Sequence, residues 1–507
     1  MHFALRRGSL LWAVALIACG GERPPAFVDR LPGAPGRPDE LPEAPEPPLP
    51  CAPLSCETAG SGCGIVPDGC GGQLTCGECG VGQTCGGGGV PNVCGAPPVT
   101  PPPAPALPTW VRRLGGSQND SGLAVTADAD NNVYLAWSSV RRESSGAPPA
   151  PGGDERQAVS LSKYAPDGTL RWTREFPGPE VTHASLRWVP GGLYWMGNAV
   201  SGAVTLGGEP LIGGFVVRYT PSGDFLSQIR VGAFAYSFDV NARGEMIVST
   251  VQPLEGGPET YAELFKFEAD SDVAWSRKSV IEGSAFTEAA FDAAGNVLTA
   301  GTLGGPLEFN GETYGAKLTR TLLLLKLGPS GSTVWARQKR GVEVAQLALG
   351  RSNQGTGVVL GRFNGALSWA GTELVNPYAP GGEDNAAAFL LTLESDGRER
   401  WVRELANCPP EISVTTAFTL AVDPWGQVVF VCGARLTKYA LSGALLWSRD
   451  LSRAGCGAAA GCVDLKAQSL TVSPDRTVLG GGERTVPDPQ SALGSGHTDA
   501  VVFKEAP

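Results

Sequence analysis

Six tryptophans recur at one position of a repeating segment, and that recurrence constrains the fold more than any other feature of the chain. The segment opens with a basic or polar residue, passes through a Ser/Asp-Gly turn and reaches Trp nine positions after its start. Lys163 leads to Asp167-Gly168 and Trp172, Lys266 to Asp270 and Trp275, and Lys326 to Ser330-Gly331 and Trp335. Thr392 leads to Asp396-Gly397 and Trp401, and Lys438 to Ser442-Gly443 and Trp447. Arg218 with Ser222-Gly223 keeps the frame but has Ser227 at the Trp position. Arg174, Arg277, Arg337, Arg403 and Arg449 each follow a Trp by two residues. Tight turns of this chemistry between alternating segments mark β-hairpins. A second hairpin motif, typified by residues 421–430 (AVDPWGQVVF), alternates with the first.

The second motif occurs seven times, whereas the Trp hairpin is complete only six times. Its seventh copy starts at Ala500-Val501-Val502-Phe503-Lys504 and lacks the Trp strand. Trp110-Val111-Arg112-Arg113, near the start of the repeat region, carries the same Trp-x-basic signature with nothing before it. Four short strands in each unit of about 57 residues predict an all-β fold: a seven-bladed β-propeller over residues 109–507. The N-terminal strand should close the last four-stranded blade, so that no long sheet edge is left exposed. The motif pair, with its Asp-x-x-Gly-Asn-Val turn at 292–297 and its late Trp, resembles the SBBP-type propeller repeat of bacterial surface proteins. The Trp repeat is also similar to those of quinone-dehydrogenase propellers and of the lipoprotein propeller of outer-membrane assembly, which have eight blades rather than seven.

Residues 1–18 combine Arg6, Arg7 and an apolar run from Leu10 to Ala18 that is too short to span a bilayer, which is the pattern of a cleaved export signal. Its end, Leu16-Ile17-Ala18-Cys19, resembles the lipobox of bacterial lipoproteins, which implies that Cys19 carries the lipid. Gly20 implies an outer-membrane destination. Acyl chains burying many methylenes at ~0.8 kcal/mol each would anchor the protein stably. Residues 19–50 and 96–108 are Pro-rich tethers that cannot bury a core. Between them, residues 51–95 hold Cys51, Cys56, Cys63, Cys70, Cys76, Cys79, Cys85 and Cys94 with almost no large apolar side chains. Disulfides should staple this module, in pairings the sequence leaves open, and Cys76-x-x-Cys79 alone makes a poor zinc site. The module resembles short Cys-Gly modules of secreted myxobacterial proteins. Cys408 is expected to pair with Cys432 and Cys456 with Cys462 on the loop face, each closing a short loop.

The net charge of −11 argues against a nucleic-acid partner. Past the leader only His183 and His497 remain, both expected in loops, and no nucleophile, zinc-protease or phosphate-loop motif accompanies them. No catalytic residue, cofactor or metal ligand is assigned. Asp128 to Asn132 reads as a hairpin turn, because a calcium loop needs a following Gly and a distal Glu. The repeat tryptophans should pack between blades, leaving Trp188, Trp195, Trp369 and Trp425 freer to meet a ligand. Long insertions at 138–158, 302–320, 363–387 and 483–498 fall on the face opposite the tight turns, where a propeller would bind. The reading that follows is a lipid-anchored, non-enzymatic scaffold of the cell envelope, outer-membrane and periplasmic or surface-exposed, that binds protein or glycan on its loop face. The alternatives are a polysaccharide lyase or hydrolase and a periplasmic assembly factor.

Overall fold

The computed structural model describes parts of residues 53–95 and, with interruptions, residues 109–505. The leader, Cys19, both tethers, Cys51, Cys70, Cys456 and Cys462 lie outside the described residues. In the cysteine module, disulfides join Cys56 to Cys76, Cys63 to Cys85 and Cys79 to Cys94. Two small antiparallel pairs, Ile65–Pro67 with Gln73–Thr75 and Thr84–Cys85 with Cys94–Gly95, accompany them. The sulfurs of Cys63, Cys79 and Cys94 lie close together, but each is committed to a disulfide and offers no thiolate to a metal.

The remaining strands form seven four-stranded antiparallel sheets. Blade 1 runs through Ser121–Ala127, Val133–Arg142, Glu155–Tyr164 and Leu170–Pro177, and five further blades repeat this meander. Blade 7 takes three strands from the end of the described chain, Leu465–Val472, Val478–Val486 and His497–Glu505, and its fourth from Trp110–Leu114. Lys504 faces Trp110 and Ala500 faces Leu114 across that closing pair. The first strand of each blade contacts the first strand of the next, and Leu465–Val472 returns to Ser121–Ala127, so these innermost strands close a ring. In a four-stranded meander both hairpin turns leave on one face, and the links between hairpins and between blades leave on the other.

The Trp repeat has a single physical job. Each Trp lies in the outermost strand of its blade opposite the residue that opens the motif, as Trp275 faces Lys266 and Trp335 faces Lys326. In five blades its indole packs on the outer turn of the following blade, as Trp110, Trp172, Trp275, Trp335 and Trp401 do against Gly168, Gly223, Gly331, Gly397 and Gly443. Trp110 Nε1 donates to Pro166 O (3.0 Å), Trp275 to Pro329 O (2.8 Å), Trp335 to Ser395 O (3.1 Å) and Trp401 to Leu441 O (2.9 Å). The Arg two residues later lies beside its own Trp and donates to the same turn, as Arg112 Nε does to Gly168 O and Arg337 Nε to Gly397 O. A buried lysine often shares the acceptor: Lys504 with Trp110 on Pro166 O, and Lys326 with Trp335 on Ser395 O. Those lysines are neutralised from their own blades, Lys326 by Asp292 (2.8 Å) and Lys504 by Asp475 (3.0 Å).

Glycine is required in these turns for two reasons. Gly397 has φ +79°, and a Cβ there would lie 2.7 Å from the Trp335 ring. Blade 3 supplies the control within the chain: blade 2 carries Ser227 in place of Trp, and the turn that follows has Ser271 at φ +75°. With no indole behind it, a side chain fits.

Three of the blades carry an extra hairpin between their second and third strands. Leu307–Phe309 with Glu312–Tyr314 sits in blade 4 and Ala366–Trp369 with Thr372–Val375 in blade 5, while blade 2 extends its strands through the Val204↔Leu211 pair. These segments are not the open binding loops expected from the sequence. Val204, Leu206, Leu307, Phe309, Leu367 and Trp369 are buried, and they pack with the preceding blade's Trp172, Trp275 and Trp335 respectively. Asn310 at one hairpin tip donates to Gly331 O, so the hairpin runs down the rim as far as the tight-turn face.

Two outcomes check this architecture. Gly397→Ala should destabilise by about 2 kcal/mol or more through left-handed backbone cost plus overpacking against Trp335. Gly371→Ala, at φ +72° with nothing within 4 Å of the new Cβ, should show the backbone cost alone, and denaturant midpoints compare the two. Deleting residues 107–116 should remove the closing strand and the Trp110 contact, lowering the melting temperature and promoting edge aggregation, with a cost near the ~3–5 kcal/mol of a lost core Trp. Removing residues 51–94 should leave the melting temperature nearly unchanged.

Candidate functional site

The innermost strand of a propeller blade has no partner on its axial side, so its backbone groups must find other partners. Here polar side chains of one blade satisfy the next. Asn198 exchanges two hydrogen bonds with the backbone of Ala235 (2.6 and 2.8 Å), Ala289 N donates to Ser237 Oγ (2.9 Å), and Phe291 N donates to Asp239 Oδ2 (2.9 Å). Val125 N donates to Ser469 Oγ (3.2 Å).

Irregular pairing interrupts six of the seven innermost strands, between Thr182 and Ser185 in blade 2, Ala235 and Ser237 in blade 3, and Phe286 and Glu288 in blade 4, for example. Bulges re-aim side chains. In blade 2 the bulge holds His183 at φ +48°, a conformation costly for a residue with a Cβ. The imidazole meets Phe234 edge-on (centroids 4.9 Å) and Tyr236 (6.2 Å), and Phe234 meets Tyr236 at 5.1 Å. All three occupy the loop-face ends of their strands, and Tyr236 is 38% exposed. The enclosing walls remove water, which holds the His183 pKa below its ordinary value and the Tyr236 pKa above its own.

Further along these strands lie Arg187 and Asp239, and Glu288 stands on the innermost strand of the next blade, Ala285–Phe291. Arg187 Nε pairs with Asp239 Oδ1 at 3.1 Å, while its Nη1 donates to Ser185 Oγ and Leu186 O. Glu288 is half-buried. Loss of solvation pushes its carboxyl up to about 8, against the opposing pull of Arg187 and of the Ser237 hydroxyl. The result is an aromatic rim above an Arg–Asp pair and a carboxyl that is largely protonated at neutral pH. Such a group can accept a cation or exchange a proton. No nucleophile accompanies it among these residues.

The structure moves several residues from their expected places. His183 and His497 lie in strands, not loops, on separate blades, 2 and 7, with blade 1 between them. Trp195 and Trp369 are core residues of separate clusters and Trp188 is partly buried against the cluster of Trp195, because all three lie in sheets or packed hairpins; Trp425 alone of the four is exposed. Asp128 binds its own turn through Asp130 N and Asn132 N and meets Lys163 at 3.3 Å, which is a hairpin cap rather than a metal loop. Cys408 and Cys432 form a buried disulfide at the end of blade 6, whose second strand is Val428–Cys432. The axial cluster was not singled out from sequence, since Arg187, Asp239 and Glu288 belong to no motif and meet only through the ring.

Neither a protein-family model nor a curated protein matches the chain. Among solved structures it is similar to the Neurospora crassa Pan2 WD40 domain, with 10% identity, a TM-score of 0.36 and coverage of 78% of this chain and 98% of that one. It is also similar to a chain of the mitotic checkpoint complex, at 9% identity and TM-score 0.40, covering 81% and 98%. A Dyadobacter fermentans protein of unknown function shows 12% identity and TM-score 0.35, covering 78% and 99%.

Raising the pH should destabilise the protein through Glu288. Its folded pKa lies above the unfolded value, so the native state holds the extra proton, and that stabilisation is full below about 4.5 and lost as pH rises toward about 8. Glu288→Gln should flatten this slope, which cannot exceed about 1.4 kcal/mol per pH unit for one proton. Melting curves of both proteins from pH 5 to pH 9 measure the difference.

Proposed function

We propose that this chain is a lipid-anchored cell-envelope protein, of the SBBP-like propeller type, that acts as a non-enzymatic binding scaffold for an extracellular protein or glycan. The loop-face mouth of the axial site is the binding surface. The observation that carries the reading is the cluster of His183, Phe234 and Tyr236, partly open to solvent and held by a strained bulge, on the face opposite the tight turns. Strain at a side chain that the core does not need is the mark of a binding position. The lipobox-like Leu16-Ile17-Ala18-Cys19 and the Pro-rich segments supply the anchor and the tether in this reading, with the outer membrane as its destination.

Two measurements test it. Cys19→Ser should release the protein from membranes or leave it as an unprocessed precursor, and unchanged partitioning into detergent would refute the anchor. The full-length chain, displayed against glycan arrays and surface-protein fractions, should bind a partner that Tyr236→Ala weakens at least tenfold. Trp425→Ala, on the tight-turn face, should leave that binding intact; equal loss from both substitutions would refute the assignment of the face.

A further inference from the structure

Among the described residues of the axial mouth, Glu288 offers a carboxyl with no ion-pair partner. Arg187 and Asp239 neutralise each other at 3.1 Å, and the remaining Arg187 contacts are to Ser185 and a backbone carbonyl. Glu288, on the neighbouring innermost strand, has no lysine or arginine within ion-pair distance among the described residues. Ser237, whose hydroxyl reaches the Glu288 carboxyl, follows Phe234 and Tyr236 on the strand Phe234–Val240, and the faces of those rings are negative in quadrupole and attract cations. An anionic ligand would find the Arg187 guanidinium already engaged by Asp239 and a carboxyl nearby. A cation would find aromatic faces at the rim, an unpaired carboxyl behind them and a protein of net charge −11 drawing it in.

Resting on the loop-face reading above, we infer that the mouth of blades 2 to 4 receives a lysine or arginine side chain of a partner protein, stacked on Phe234 and Tyr236 and neutralised by Glu288, whose carboxyl gives up its proton to solvent as the cation binds. The alkyl stem of such a side chain suits the apolar rim, and its charged head replaces solvent at a carboxyl that the ring has stripped of water. His183 stands edge-on to both aromatic rings and reports on the site. A tetrahedral ammonium and a planar guanidinium share this chemistry, and the experiment separates them.

The full-length protein contains three histidines, His2, His183 and His497, so its imidazole NMR signals are few and His183→Asn assigns the relevant one. Titrated with acetyl-Gly-Lys-Gly-amide and its arginine counterpart, the His183 signal should move in a saturable way while that of His497 stays fixed. The norleucine peptide, which keeps lysine's four-carbon stem but lacks the ammonium, should bind at least tenfold more weakly. Glu288→Gln should weaken the cationic peptides tenfold or more with little effect on norleucine, and Tyr236→Leu should weaken the cationic peptides severalfold. Because the Glu288 substitution is nearly isosteric, unchanged melting at pH 6 confirms that the fold persists. Equal binding of norleucine and lysine, or a His183 shift produced by chitotetraose but by neither cationic peptide, would overturn the inference. A surface-protein partner that is lost with Tyr236→Ala yet is not displaced by the lysine peptide would overturn the cation chemistry and leave the loop-face reading standing.

Discussion

The ring depends on one contact repeated around its rim: at five of the seven blade junctions an indole lies on a glycine turn of the next blade, and at four of them its N–H is donated to that turn's carbonyl. A β-sheet has two faces and two edges, and a propeller must join its blades through faces that differ in sequence from blade to blade. The Trp–Gly contact fixes the spacing between neighbours irrespective of those differences. It also explains a correlation that propensity alone would miss, since the one turn in this series that carries Ser271 in place of Gly follows the one blade that carries Ser227 in place of Trp. At the closing blade the pattern changes again. No turn joins its third and fourth strands, which come from opposite ends of the described chain, and Arg449 of the sixth blade pairs with Glu505 at 2.7 Å.

The blade count, the strand order and the closing strand were legible because the contact that builds them is made of rare residues at fixed spacing. Trp110, stranded ahead of the first full repeat, announced its pairing with the last strand. The extra hairpins were equally written in the chain but in commoner letters. Gly202-Ala203-Val204-Thr205-Leu206-Gly207-Gly208, Gly305-Pro306-Leu307-Glu308-Phe309-Asn310-Gly311 and Gly365-Ala366-Leu367-Ser368-Trp369-Ala370-Gly371 align position for position, with apolar residues at the third and fifth places. Read as loop insertions they promise a binding surface; read as a third repeat they give buried wedges.

The axial cluster was illegible for a different reason. An innermost strand packs both faces and leaves one edge to the channel, so it shows no clean alternation, and the irregular register in most of these strands erases what periodicity remains. Arg187 and Asp239 are 52 residues apart and His183 and Tyr236 lie on separate blades. Only closure of the ring brings them together. Local sequence thus specifies the rim of this protein, while its axis is an outcome of assembly.

The closing strand also sets a timetable. Trp110–Leu114 finds its partner in His497–Glu505, and the Arg113–Asp499 ion pair spans 386 positions. During synthesis the first of these strands must wait, unpaired, while every intervening blade is made. Entropy of loop closure grows only slowly with length, but non-local pairing of this kind slows folding and leaves sticky edges exposed meanwhile. The blades between can form one at a time as local meanders, each small in contact order. The seventh cannot, which makes completion of the ring the last and slowest event in the life of a new chain and the stage at which a holding chaperone would be needed most.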